Sequence, residues 1–391
     1  MTSHGDTPPW VSSRGVAPSW AQRLVAWQQQ HGRHDLPWQN TCDAYRIWLS
    51  EIMLQQTQVG TVIPYYQRFV ASFPDVAALA AASVDRVLEH WSGLGYYRRA
   101  HHLHATANVV MREHGGVFPV DSATLETLPG IGRSTAAAIA AFSSGEHAAI
   151  LDGNVKRVLA RHAGIEGFPG EPRVAARLWD VAMARLPQRV VGLPLAASGV
   201  GLPLPHTGEG WGEGAAIIQS YTQAVMDLGA TVCTRTRPRC DACPVAVDCV
   251  AQIEGRTREL PTPRTRKPLP QREILVLLLE RAGSLLFERR PAVGIWGGLW
   301  SFPEADVDAD IAAVVHARFG IDALVTGELP PVQHTFTHFA LTIHPRRVAV
   351  ASWPRRAESP GRLWLTAADA CNAALPAPIR KIVALLQTPS L

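Results

Sequence analysis

Leu128–Ile139 reads LPGIGRSTAAAI: a proline and two glycines set against a run of alanines, with no acid, histidine or cysteine among them. A short helix should end at this turn, since Gly130 and Gly132 admit positive φ and close approach. A second helix should begin at Arg133, with its first N–H groups facing outward. Such a helix start attracts anions, and a DNA phosphate fits it. The same string also suits plain packing between two helices. Its one hydroxyl-bearing doublet, Ser134 and Thr135, falls at the start of the second helix.

Working outward, apolar residues recur at helical spacing from Trp20 to about Leu186, as in Trp20, Leu24 and Trp27 and again in Tyr45, Trp48 and Ile52. Breaks fall at Gly32, Pro64, Pro74, Gly93, Gly115 and Gly145, so the expectation is a set of short helices. Residues 190–214 repeat Gly-Leu-Pro-Leu and are rich in glycine and proline, which reads as an inserted loop, bounded at 187–215. Helical pattern resumes in IIQSYTQAVMDLGA, from Ile217 to Ala230. The segment 255–272 is basic and proline-rich, a semi-extended linker. Beyond it strands are expected for the first time, in ILVLLL, SLLFER and the alternating HTFTHFALTI, with helices over 309–319 and 378–386. The domains expected are thus a tail at 1–19, a helical region at 20–254, the linker, and a small α+β domain at 273–388.

A chain of 391 residues, 47% hydrophobic and 18% charged, can bury sizeable cores, and its net charge of +4 permits a polyanionic partner without demanding one. The first eighteen residues carry no basic stretch followed by an apolar one, and no window reaches the length of a membrane span. No membrane association is expected, and the expected compartment is the cytoplasm. Of six cysteines, Cys233, Cys240, Cys243 and Cys249 lie within seventeen residues at the spacing Cys-x6-Cys-x2-Cys-x5-Cys. That clustering points to a metal centre, and by spacing alone either zinc or an iron-sulfur cluster is open. Arg235, Arg237 and Arg239 lie in its first loop, either as a solvated charged loop or as a surface for phosphate.

Two carboxylates stand out. The helix YRIWLSEIMLQQTQV places Glu51 on a face with Ile47, Leu54, Gln55 and Gln58, where desolvation would raise its pKa toward that of a useful general acid. A surface glutamate is the alternative. In ILDGNVKRVLARH, Asp152 has the position of an N-cap for a helix from about Val155.

These motifs together resemble the endonuclease III superfamily of DNA glycosylases, and LSEIMLQQTQV resembles in particular the MutY family of adenine DNA glycosylases. The resemblance covers about 20–186 and 217–386. It implies an all-α helix-hairpin-helix glycosylase core with an iron-sulfur cluster loop, followed by an α+β Nudix-like domain. It assigns one 4Fe-4S cluster to the four cysteines, with Pro244 after the third. It implies that Glu51 protonates adenine, Asp152 stabilises the sugar cation, and Asn154 positions the water or the carboxylate. Gly130, Gly132 and Ser134 become the DNA-binding hairpin. Bifunctional relatives carry a lysine where this chain has Ser134, and a hydroxyl cannot form the imine, so the chain should remove a base without cutting the strand by that route.

By the same resemblance Leu94 and Tyr96, in WSGLGYYRRAHHLH, enter the duplex as a wedge and Gln56 helps fill the gap, although Tyr96 also suits a core aromatic. Trp38, Leu54 and Gln223 match positions around the adenine pocket. The C-terminal strings GIWGGLWSFPE and QHTFTHFALTI resemble a Nudix-like domain that reads 8-oxoguanine, with Phe336, Thr337 and His338 at its Phe-Ser-His element. On a strand, Phe336 and His338 would share one face and Thr337 the other, unless the segment is a loop. The region has no Gly-x5-Glu-x7-Arg-Glu-x2-Glu-Glu string, so base reading rather than nucleotide hydrolysis is expected. The expected activity is hydrolysis of adenine from A:8-oxoguanine or A:G mispairs in double-stranded DNA by a monomer. The rivals are a bifunctional glycosylase and lyase for oxidised pyrimidines, a noncatalytic iron-sulfur protein that binds damaged DNA, and a Nudix-type hydrolase.

Overall fold

The computed structural model describes residues 18–188, 213–264, 268–291, 294–350, 353 and 361–387. The expected tail through residue 17, residues 189–212 of the expected insertion, and 265–267 of the linker lie outside the described residues. The chain divides into two compact units, Met1–Ala77 with Ala105–Thr265, and Ala78–His104 with Arg266–Leu391.

In the first unit the opening string forms two helices joined by a turn. The helix Ser122–Glu126 is capped by Asp121, whose carboxylate accepts from the Thr124 N–H at 2.8 Å. The chain turns through Gly130, at φ 78°, and the helix Arg133–Ser144 starts from Gly132 with no side-chain cap. Its alanines are small enough for close helix packing, and Ala136–Ala141 are all buried. The helices Ala44–Leu54 and Glu213–Asp227 pack against it. Ala137, Ala138 and Ala141 join Ile150, Leu151, Val155, Leu159 and Leu228 in one core, which therefore fixes the start of the helix Gly153–His162. The expected helical character of this region is what the described residues adopt.

The second unit is built on a mixed sheet of β1 (Gln271–Arg281), β2 (Ser284–Arg289), β3 (Trp300–Ser301), β4 (Glu304–Ala305), β5 (Ala323–Glu328), β6 (Val332–Thr335), β7 (Ala340–Val350) and β8 (Arg362–Thr366). The main order is β3-β2-β1-β7-β5, with β4 on β1, β6 on β7 and β8 on β2. Strands β1 and β7 run parallel, from Gln271 opposite Ala340 to Glu280 opposite Ala349, while the other pairs are antiparallel. Leu275–Leu279 are buried without alternation, as a strand covered on both faces requires. Leu275, Leu277 and Leu279 pack with Val315 and Phe319 of the helix Ile311–Phe319. β1 turns into β2 through Ala282 and Gly283, both at positive φ, the backbone that two-residue hairpins favour. The expected C-terminal helix spans Ala377–Gln387.

This unit also takes in residues 78–104, which periodicity alone groups with the helical region. Polar contacts hold the segment there. Arg380 Nη2 donates to Ser92 Oγ at 2.7 Å, Ser92 Oγ donates to the Leu375 carbonyl at 3.2 Å, and His101 Nε2 lies 3.0 Å from the Gly297 carbonyl oxygen. Among the described residues no helix is long and apolar enough to cross a membrane.

Candidate active site

The first unit contains a cavity of about 820 Å³ whose walls include Glu51, Asp152, Asn154, Trp38, Leu54 and Gln223. Six residues singled out from distant parts of the sequence thus share one cleft. Asp43 caps the helix Ala44–Leu54 by accepting from the Tyr45 N–H at 2.9 Å, and the buried face carrying Ile47, Trp48 and Ile52 leaves Glu51 turned toward the cavity. Trp38 is buried and meets Tyr66 edge to face at 5.4 Å. Leu54 ends the same helix as Glu51.

Burial raises the Glu51 pKa to about 8, with the Asp152 charge adding to the rise. Asp152 is itself raised by burial, but the backbone N–H groups of Val155 and Asn154, together with Arg157 and Lys156, act in the opposite direction. Its Oδ1 accepts from the Val155 N–H at 2.7 Å as the N-cap of the helix Gly153–His162. Asp152 is therefore the member of the pair that ionises first, and Glu51 the member that keeps a proton. Capping and charge stabilisation are compatible roles for Asp152, because the backbone N–H groups that it caps favour its charged form.

Asn154 Oδ1 accepts from Arg157 Nη2 at 2.8 Å. Arg157 also donates to the carbonyls of Gly229, at 2.7 Å, and Cys233, at 2.8 Å. Gly229 lies in the π-helical turn Leu228–Val232, and a Cβ there would come 2.7 Å from Asn154 Cβ, so only glycine permits this approach. Ser134 Oγ accepts from the Leu151 N–H at 2.8 Å, tying the hairpin to the residue before Asp152.

Sequence reading missed Arg33 and Asp227. Asp227 is fully buried, and its carboxylate accepts from Arg33 N at 2.9 Å, Arg33 Nε at 2.7 Å and Gln223 Nε2 at 2.8 Å. The available signal was an acid following the apolar run Ala224–Met226 at the end of the helix, which marks a charge that needs a partner if buried.

The cysteines follow the π-helical turn. Each is a free thiol of intermediate exposure. Burial raises Cys243 to about 12, and Cys240 and Cys249 are raised chiefly by burial too; Cys233 adds to the rise at all three. One thiol within electrostatic reach of the three others is a donor set that a cationic centre would hold together. Arg161 Nη1 donates to Cys233 Sγ at 3.3 Å, a contact suited to a thiolate. Among the described residues no three His, Cys, Asp or Glu side chains are grouped as ligands of a single ion.

The remaining sequence candidates lie outside the cavity wall. Gln56 is exposed at φ 57° just past the Glu51 helix. Gly130, Gly132 and Ser134 form the hairpin turn and the uncapped helix start. In the second unit, Tyr96 is 46% exposed at φ 50°, with the Arg99 guanidinium over its ring at 5.5 Å. Leu94 is only 6% exposed, so of the two residues Tyr96 alone presents its side chain at the surface. Phe336, Thr337 and His338 sit in the turn between β6 and β7, closed by the Phe336 N–H donating to the Phe339 carbonyl at 2.8 Å. They lie in a loop, the alternative to a strand on which Phe336 and His338 would share one face. Phe336 stacks on Phe339 at 4.6 Å and packs against Trp296 at 5.4 Å, leaving Thr337 and His338 exposed.

Residues 49–183 match the model of the HhH-GPD superfamily base excision DNA repair proteins, and residues 275–385 match that of the NUDIX domain. The adenine DNA glycosylase of Buchnera aphidicola subsp. Acyrthosiphon pisum is 31% identical over 366 residues, covering 93% of this chain and 96% of that protein. The Homo sapiens adenine DNA glycosylase is 31% identical over 427 residues, covering 93% of this chain and 73% of that protein. The solved structure of a thermostable thymine-DNA glycosylase is similar over 60% of this chain and 95% of its own, at 23% identity and a TM-score of 0.49. With 31% identity over 93% of this chain to both a bacterial and a human relative, and nearly the whole of the bacterial one covered, the chain belongs to the adenine DNA glycosylase family.

Proposed function

We propose that the protein is a monofunctional glycosylase, a cytoplasmic monomer that hydrolyses adenine from A:8-oxoguanine and A:G mispairs in double-stranded DNA. The observation that carries this reading is the pairing of Glu51, raised to about 8, with Asp152 in one cavity of about 820 Å³. An everted adenosine enters the cavity, and Glu51 donates its proton to the purine ring. The bond from C1′ to the base breaks and its electron pair leaves with adenine. The Asp152 carboxylate steadies the positive sugar, and water, oriented with help from Asn154, adds to C1′. The water proton returns to the Glu51 carboxylate and resets the acid.

Trp38, Leu54 and Gln223 wall the base site. Gly130, Gly132 and Ser134 meet a phosphate, Gln56 and Tyr96 act at the vacated stack, and Phe336, Thr337 and His338 read the oxidised base. Residues 20–254 make the glycosylase region and 273–388 the reading domain. Cys233, Cys240, Cys243 and Cys249 would hold one 4Fe-4S cluster. When bound, the cluster supplies cationic iron that neutralises the four thiolates and fixes their loop.

Base release from a duplex carrying A:8-oxoguanine, measured under single turnover, tests the reading. Glu51→Gln should slow release by about 10²-fold to 10⁴-fold, the range of a general acid. A Glu51→Gln protein as fast as its parent removes the mechanism. Borohydride should trap no covalent adduct, because Ser134 offers no amine.

A further inference from the structure

Gln223, on the cavity wall, has its side-chain amide tied to a fully buried charge that Arg33, also on that wall, holds from the other side. Its Nε2 donates to Asp227 Oδ1 at 2.8 Å, and no described group donates to its Oε1. The orientation of this amide is not free. The Asp227 carboxylate is 0% exposed and can only accept, so the amide must offer it nitrogen. Turning the amide over would set Oε1 against a buried anion. Arg33 locks the other side, with its backbone N–H on Oδ2 at 2.9 Å and its Nε and Nη2 on Oδ1 at 2.7 and 2.6 Å.

We propose that Asp227 is a positioning residue that makes the base site selective for a 6-amino purine by fixing Gln223 with its carbonyl oxygen as the group left for the ligand. The inference rests on the adenine-releasing function proposed above. Adenine presents an amino donor at C6, whereas hypoxanthine presents a carbonyl acceptor at the same place. Acceptor facing acceptor leaves two desolvated oxygens without a partner, which disfavours the oxo base. Asp227 touches no substrate; it acts through Gln223, and Arg33 acts through Asp227.

The test compares single-turnover release of adenine and of hypoxanthine, each opposite 8-oxoguanine, in the full-length protein. The parent should release adenine faster. Gln223→Met, which leaves the Asp227–Arg33 pair intact, should reduce the adenine-to-hypoxanthine ratio by about tenfold, the worth of one buried hydrogen bond. Asp227→Ala should reduce it similarly, and the double variant no further, because the two act as a unit. Asp227→Asn should hold the ratio within about threefold, since the two guanidinium donors of Arg33 keep the Asn oxygen toward Gln223. A purely structural Asp227 would instead lower both rates together. A parent that releases adenine, with Gln223→Met or folded Asp227→Ala keeping the parental ratio, overturns this inference alone. A parent that releases no adenine overturns the function on which it rests.

Discussion

At the scale of single residues, Glu51 joins stability to reactivity through one proton. Its folded pKa of about 8 lies above the ordinary 4.5, so between those values the folded chain binds a proton that the unfolded chain has lost. The stability associated with that proton is fully present below about 4.5 and is lost as pH rises through about 8. Parent stability should therefore fall across this window relative to Glu51→Gln, with a slope of up to about 1.4 kcal/mol per pH unit. Denaturant unfolding of both proteins from pH 5 to pH 9 checks it; parallel curves would mean that Glu51 is an ordinary solvated carboxylate. Base release should follow the same ionisation, holding up to about pH 8 and declining above. Ser134 makes a complementary point. Ser134→Ala leaves the buried Leu151 N–H without its 2.8 Å acceptor, so it should cost about 1–3 kcal/mol in thermal unfolding, although no covalent chemistry is lost.

At the scale of elements, the helix Gly153–His162 links two features that are separate in the sequence. Its N-terminus holds Asp152 and Asn154 in the cavity, and one turn on, Arg157 reaches the Gly229 and Cys233 carbonyls. A further turn on, buried Arg161 donates to the carbonyls of Thr234, Arg235 and Leu260. Gly229→Ala would force Asn154 away from this seam. We expect a loss of about 1–3 kcal/mol from overpacking and base release slowed by about 10-fold to 100-fold through misplacement. Calorimetry and single-turnover rates measure the two, and an unchanged rate in a folded Gly229→Ala protein would separate Asn154 from the reaction. Much of this was legible beforehand. The Gly-x-Gly turn, the Asp152 cap and the acid on an apolar helix face each announce a local geometry. Arg33, Asp227 and Gly229 were not legible, because their meaning lies in contacts across 194 residues for the Arg33–Asp227 bond and in a close approach that no periodicity encodes. For Phe336–His338 strand and loop both stayed open for a related reason: alternation continues across a tight turn, and only strand pairing fixes where β6 ends.

At the scale of the whole molecule, the division into units does not follow the division of the sequence by composition. Residues 78–104 lie among helices in the chain yet pack with the sheet of the second unit, so Tyr96 belongs to the same unit as Phe336, Thr337 and His338. Apolar periodicity fixes which face of a helix is buried but not which core receives it, and among the contacts of this segment within the second unit are the hydrogen bonds at Ser92 and His101. Arg380 bears most directly on the Tyr96 loop: it donates to Ser92 Oγ at 2.7 Å and to the Ala373 carbonyl at 3.1 Å, while Ser92 Oγ reaches the Leu375 carbonyl. Within the loop, Trp91 Nε1 donates to the Gly95 carbonyl at 3.0 Å and the Gly93 N–H to the Tyr97 hydroxyl at 3.1 Å, so Tyr96 is held at φ 50° by its own neighbours once Ser92 is anchored. Arg380→Ala removes a charged donor worth about 1.5–3 kcal/mol. Amide hydrogen exchange across 92–97 should then quicken by about tenfold or more, since local opening is governed by such contacts. Exchange across 44–54, in the Glu51 helix, should stay at the parental rate. Acceleration in both places would mean that Arg380 supports global stability, and acceleration in neither would mean that the loop is fixed without it.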